Sequence, residues 1–139
     1  MMTIKDLKEK IKSHKQWLDN DGGVRLDLSS VKLLNADLSN CDLRYADLTY
    51  ASLVSANLSN CDLRNADLSN ADLSKAKLNK AKLNKANLSN AILSSADLSS
   101  ASLRKADLSN RDLSFSDLTY ASLVSAILRN DKMSYVNLR

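Results

Sequence analysis

One histidine, two cysteines and a long series of aspartates are the residues of this chain that could do acid–base, thiol or metal chemistry. Their spacing argues against each. His14 is the only histidine, and no Ser–His–Asp set, P-loop, glycine-rich phosphate cradle or zinc spacing surrounds it. The aspartates recur in phase, at 27, 37, 42, 47, 62, 67, 72, 97, 107, 112 and 117. General acid–base work needs a pocket that shifts a pKa, and a regular outward series offers none. Cys41 and Cys61 are too few for a disulfide framework and too few for a metal site. No catalytic residue, cofactor or metal is expected, and the chain does not read as an enzyme.

The element that positions the aspartates is a five-residue phrase. From Ala66 to Asn90 the chain reads ADLSN ADLSK AKLNK AKLNK ANLSN. The same phase runs from Leu26 to the last residue, and its third position is Leu at 22 of 23 places, with Met133 the exception. A period of five fits neither a helix nor a long strand, and a fixed short period marks a solenoid. Two apolar slots, two residues apart, share one side of an extended backbone. These are the Ala slot (36, 46, 51, 56) and the Leu slot (38, 48, 53, 58), with polar residues between and after them. Each phrase is therefore a short extended side followed by a turn. DLSNCDLR at 37–44 returns as NLSNCDLR at 57–64, and Arg44, Arg64 and Arg104 fall in one column of a 20-residue grid. Four sides per coil follow, with almost six coils in a rod roughly 28 Å long.

Over residues 26–139 the chain resembles the pentapeptide-repeat proteins, whose phrase is written A(D/N)LXX. The resemblance implies an all-β solenoid, a right-handed quadrilateral β-helix. It also implies one functional mode, because some members resemble duplex DNA in shape and charge and protect type II topoisomerases.

Residues 3–19 read as a helix, with Thr3 as N-cap and Asp6 completing a capping box. Ile4, Leu7, Ile11, His14 and Leu18 form its apolar stripe, with Trp17 at the edge. Gly22 and Gly23 end it. Solenoids need their end coils covered, so residues 1–23 are expected to cap a repeat domain at 24–139. The alternative for an amphipathic helix is a membrane or partner contact. Charges at the start of the chain stand where a signal peptide needs an apolar run, and no stretch is long enough to span a membrane. A cytoplasmic protein with no membrane contact is expected. The cysteines occupy Ala slots and are expected to be buried thiols.

Charge segregates on the grid. One face carries Asp27, Asp47, Asp67 and Asp107, with Arg129 as its only cation. The preceding face carries Arg44, Arg64, Lys82, Lys85, Arg104 and Lys105 against Asp42 and Asp62, and Lys75, Lys77 and Lys80 extend it. Residues 24–139 hold 15 Lys and Arg against 12 Asp, a net +3. That disfavours DNA mimicry, and no inhibition or protection of gyrase is expected. An anionic polymer such as nucleic acid, bound by the basic face, is a second reading. Base stacking there has only Tyr45 to draw on. A protein-interaction scaffold with an unidentified partner is the preferred one, with Leu34, Val54, Ile92 and Phe115 in outward slots of one face. Ice binding would want ranks of Thr, and the repeats hold only Thr49 and Thr119.

Two features concern the last coils. Met133, Val136 and Leu138 stand at an open end, where an unpaired edge invites a second copy, so a homodimer is expected. Arg111, Ser116 and Asp131 break the Ala-slot rule. Arg111 and Asp131 are 20 apart, hence stacked on a four-sided coil. An interior ion pair is expected, with water sharing the burden near the end. The alternative is a bulge at 114–116 that swings Arg111 outward.

Overall fold

In the computed structural model, which describes residues 2–139, the chain is a four-sided β-helix closed at one mouth by a helix. Parallel bridges join residues 20 apart, from Asp27 with Asp47 to Asp117 with Asn137. Each side is one short bridge rather than a long strand, because two inward slots are all that fit before a corner. Hydrogen bonds run between coils, such as Leu68 N to Asn87 O at 2.7 Å and Asp67 N to Ala46 O at 3.0 Å.

The corners explain the polar half of the phrase. In a regular corner the Ala-slot N–H donates to the preceding Leu-slot carbonyl, as in Ala71 to Leu68 at 3.1 Å. The residue before it takes φ between 56° and 62° at every corner from Ser30 to Tyr135. This left-handed conformation strains L-residues, and Asn bears it best. Asn accordingly recurs there, at 35, 40, 60, 65, 70, 90, 110 and 130. The outward Asp braces the corner, because its carboxylate accepts the N–H two residues on, as Asp27 does from Ser29 at 2.9 Å and Asp67 from Ser69 at 2.9 Å.

Leu slots from Leu38 to Leu108 are fully buried, with Ala, and Cys61, beside them. At the first coil the interior would open to water, and helix α1 (Ile4–Leu18) covers it. Thr3 caps α1, and Thr3 and Asp6 form a full capping box. Leu7 and His14 are buried; Met2 and Ile11 pack partly against the core. Ile4 departs from the expected stripe and is 76% exposed. The helix ends at Asp19, before the glycines. Gly23 is needed for a different reason: a Cβ there would collide with the Ser13 carbonyl oxygen. Among the described residues no helix is long and apolar enough to cross a membrane.

Candidate functional site

The basic face is built as the grid requires, but its charge is redistributed. Arg44 and Arg64 fold back across their own corners. Arg44 Nη2 reaches Asp42 at 2.7 Å and Arg64 Nη2 reaches Asp62 at 2.6 Å, each with Nε donating as well. Those two guanidiniums of the expected six-cation face are engaged by the two aspartates set against them. Lys82, Lys85, Arg104 and Lys105 are exposed and form no salt bridge among the described residues. A shallow hollow of about 590 Å³ beside Lys82 and Lys85 is lined by these two with Arg64, Asn65, Asn84 and Ser102. Lys75, Lys77 and Lys80 continue the unpaired charge around the same coil as Lys82 and Lys85.

The acidic face stacks Asp27, Asp47 and Asp67 directly, then Asn87 and Asp107. Hydrogen bonds from Ser29 and Ser109 hold the carboxyls of Asp27 and Asp107 below the usual carboxylate range. Arg129 is not the only cation near it: Lys10 of α1 reaches the Asp27 carbonyl at 3.5 Å, and Arg25 also bears on the Asp27 carboxylate. Sequence spacing could not place Lys10 there, because helix docking decides it.

The outward apolar residues do not form one patch. Leu34 and Val54 stack in one corner column that continues as Ser74 and Ser94, whose hydroxyls meet at 3.4 Å. Phe115 instead stacks on Tyr135 at 5.0 Å between ring centroids.

His14 is sealed, and its Nδ1 accepts the Leu26 N–H at 3.0 Å. Burial pushes its pKa below the ordinary value. It joins helix to first coil and touches no open cleft. Both cysteines are free. Cys61 is buried, donates to the Leu38 carbonyl at 2.7 Å, and is pushed by burial up to about 12. Cys41, expected to be as buried, is only half-buried, because it lies on the first coil, where Asp42 beside it bridges only onward to Asp62. No group of three or more His, Cys, Asp or Glu suited to a metal occurs among the described residues.

At the far end Arg111 lies inside the column, 2% exposed, with Asp131 stacked beyond it. There is no outward swing at 114–116. The adjustment is at the preceding corner, where the Arg111 N–H leaves the Leu108 carbonyl and donates to Asp131 Oδ1 at 3.1 Å. Arg111 Nη1 donates to the Leu88 carbonyl at 3.3 Å. The Asp131 side chain is only 3% accessible, so the pair is shielded from bulk solvent. Beyond it the interior opens: Leu128, Met133 and Leu138 are exposed and Val136 half-buried.

The profile of the pentapeptide repeats family matches residues 24–60, 51–90, 71–110 and 91–130. The chain belongs to the pentapeptide-repeat family and has its right-handed quadrilateral β-helix. It is similar to HetL, a pentapeptide repeat protein involved in heterocyst differentiation regulation from the cyanobacterium Nostoc sp. strain PCC 7120. The identity is 40%, over 77% of this chain and 48% of HetL, with a TM-score of 0.64. The chain thus spans about half the length of HetL. Rfr23 from the cyanobacterium Cyanothece 51142 is 25% identical over 92% of this chain and 98% of its own, with a TM-score of 0.68. The plasmid-mediated fluoroquinolone resistance protein QnrB1 is 17% identical with a TM-score of 0.29, over 81% of this chain and 83% of its own, and that likeness carries no argument. Comparison with curated protein sequences gave no match.

Proposed function

We propose that this chain is a non-enzymatic scaffold acting through its surface on protein partners, one of them a second copy of itself. What supports the reading is the filled interior. Leu slots are fully buried from Leu38 to Leu108, then become exposed at Leu128, Met133 and Leu138. A column that is dry along its length and apolar at one end is suited to end-to-end pairing. Residues 1–23 serve as the cap in this account and 24–139 as the binding rod. A cytoplasmic setting fits two cysteines kept as free thiols on adjacent coils. HetL, a relative involved in regulation, fits a binding role. Hydrogen exchange tests the pairing. Amides of 133–139 should gain protection as protein concentration rises from one to a hundred micromolar, and concentration-independent exchange there would refute it.

A second reading, binding of an anionic polymer, is favoured by the unpaired Lys82, Lys85, Arg104 and Lys105. Retention on heparin that falls steeply with salt supports it; retention indifferent to salt, or none, leaves the scaffold reading alone. DNA mimicry has no comparable support, since only one of four faces is acidic and Lys10 intrudes on it.

A further inference from the structure

Helix α1 changes what the basic face can offer. It carries Trp17, the chain's single tryptophan, to the corner at Tyr45. The rings meet edge to face, 6.3 Å between centroids. His14 stacks on the indole at 5.7 Å and so fixes its plane. Trp17 still keeps 37% and Tyr45 47% of its surface in solvent. The core does not require these rings, because Leu and Ala fill it. They form a rigid shelf above a hollow of about 490 Å³ that Arg44 also lines.

Tyr45 heads the corner column that leads to the free cations. Its N–H donates to the Arg64 carbonyl at 3.1 Å, Asn65 to Asn84 at 3.1 Å, and Lys85 to Arg104 at 2.9 Å. Tyr45, Asn65, Lys85 and Lys105 therefore stack in order, about 14 Å end to end at about 4.8 Å per coil. Stacked nucleotides rise about 3.4 Å along one strand, so about four fit. Rings at one end take base faces, and Lys82, Lys85, Arg104 and Lys105 take phosphates. Aromatic faces beside a cationic track are the means by which single strands are held without sequence preference. An acidic protein segment would use the cations and leave the rings idle.

We propose that the corner from the Trp17–Tyr45 shelf to Lys105 binds single-stranded nucleic acid, with bases stacked on the shelf and phosphates on the four cations. This rests on the anionic-polymer reading and narrows it to one polymer.

Trp17 reports on the contact directly in the full chain. A 12-mer of deoxythymidine should bind and quench its fluorescence, with log Kobs falling against log salt at a slope near −3 (roughly 0.7 for each of four phosphates). Heparin should bind without quenching. Tyr45→Asn, which keeps a residue suited to the left-handed corner, should weaken the oligonucleotide about tenfold and leave heparin retention unchanged. Lys85→Asn with Lys105→Asn should weaken both. Oligonucleotide binding without quenching, or indifferent to Tyr45→Asn, overturns the proposal while the anionic-polymer reading stands. So does tighter binding of the matching duplex, or heparin binding with no oligonucleotide bound. Failure to bind either probe overturns both.

Discussion

Arg111 Nη2 lies 3.5 Å from Asp131 Oδ1, and the two side chains are 0% and 3% accessible. Burial lowers the guanidinium to about 10, with Asp131 pulling the other way, so it stays charged at neutral pH. Nε, Nη2 and Asp131 Oδ2 have no hydrogen-bond partner within the protein. A loosely satisfied buried pair adds little as a pair, but breaking it leaves one naked charge. Asp131→Ala should cost roughly 3 kcal/mol in chemical denaturation. Arg111→Ala with Asp131→Ala should recover most of it, because Ala is the ordinary residue of that slot. Additive losses in the double-mutant cycle would refute the contact.

His14 makes the cap pH-sensitive. Its folded pKa is depressed, by burial first, against support from the Arg44 backbone and Asp42 and opposition from Arg25 and Arg44. Above about 6.5 neither folded nor unfolded state carries the proton. As pH falls below that, the unfolded state takes it up first and stability drops, until the folded pKa is passed. Asp42, which bears on His14, is held low, as are Asp27 and Asp37, and all three stay ionised in this window. Between pH 7.5 and 5.5 the denaturation midpoint followed by Trp17 fluorescence should fall. His14→Gln, which keeps an acceptor for the Leu26 N–H, should flatten that dependence; an unchanged slope would contradict it.

The interior should respond as a packed column. Leu78 is fully buried at mid-rod, and Leu78→Ala should cost about 2–5 kcal/mol. Exposed Leu34→Ala should change stability by less than about 0.5 kcal/mol. Denaturant titration separates the two, and similar losses would contradict the burial pattern.

Much of this was legible because the repeat is a ruler. A five-residue phase and a 20-residue echo place Cys41 under Cys61 and Arg111 under Asp131 without any tertiary knowledge. What escaped the ruler depends on side-chain reach and on helix docking. Asp42 and Arg44 are two residues apart, and only the corner's curvature brings their ends to 2.7 Å. Trp17 meets Tyr45, and Lys10 meets Asp27, because α1 settles on the mouth at one rotation, which no periodicity specifies. The Arg111 N–H that donates to Asp131 rather than to the Leu108 carbonyl is a local departure hidden by the unbroken Leu phase.

Light scattering on the intact chain tests the scaffold account most directly. At tens of micromolar, the 15.3 kDa chain should scatter with about twice that mass. Leu138→Asp places a charge on a side chain now 58% exposed at the open end, and should return it to one chain's mass. A wild-type monomer at that concentration, or a dimer that Leu138→Asp leaves intact, would contradict pairing through the last coil.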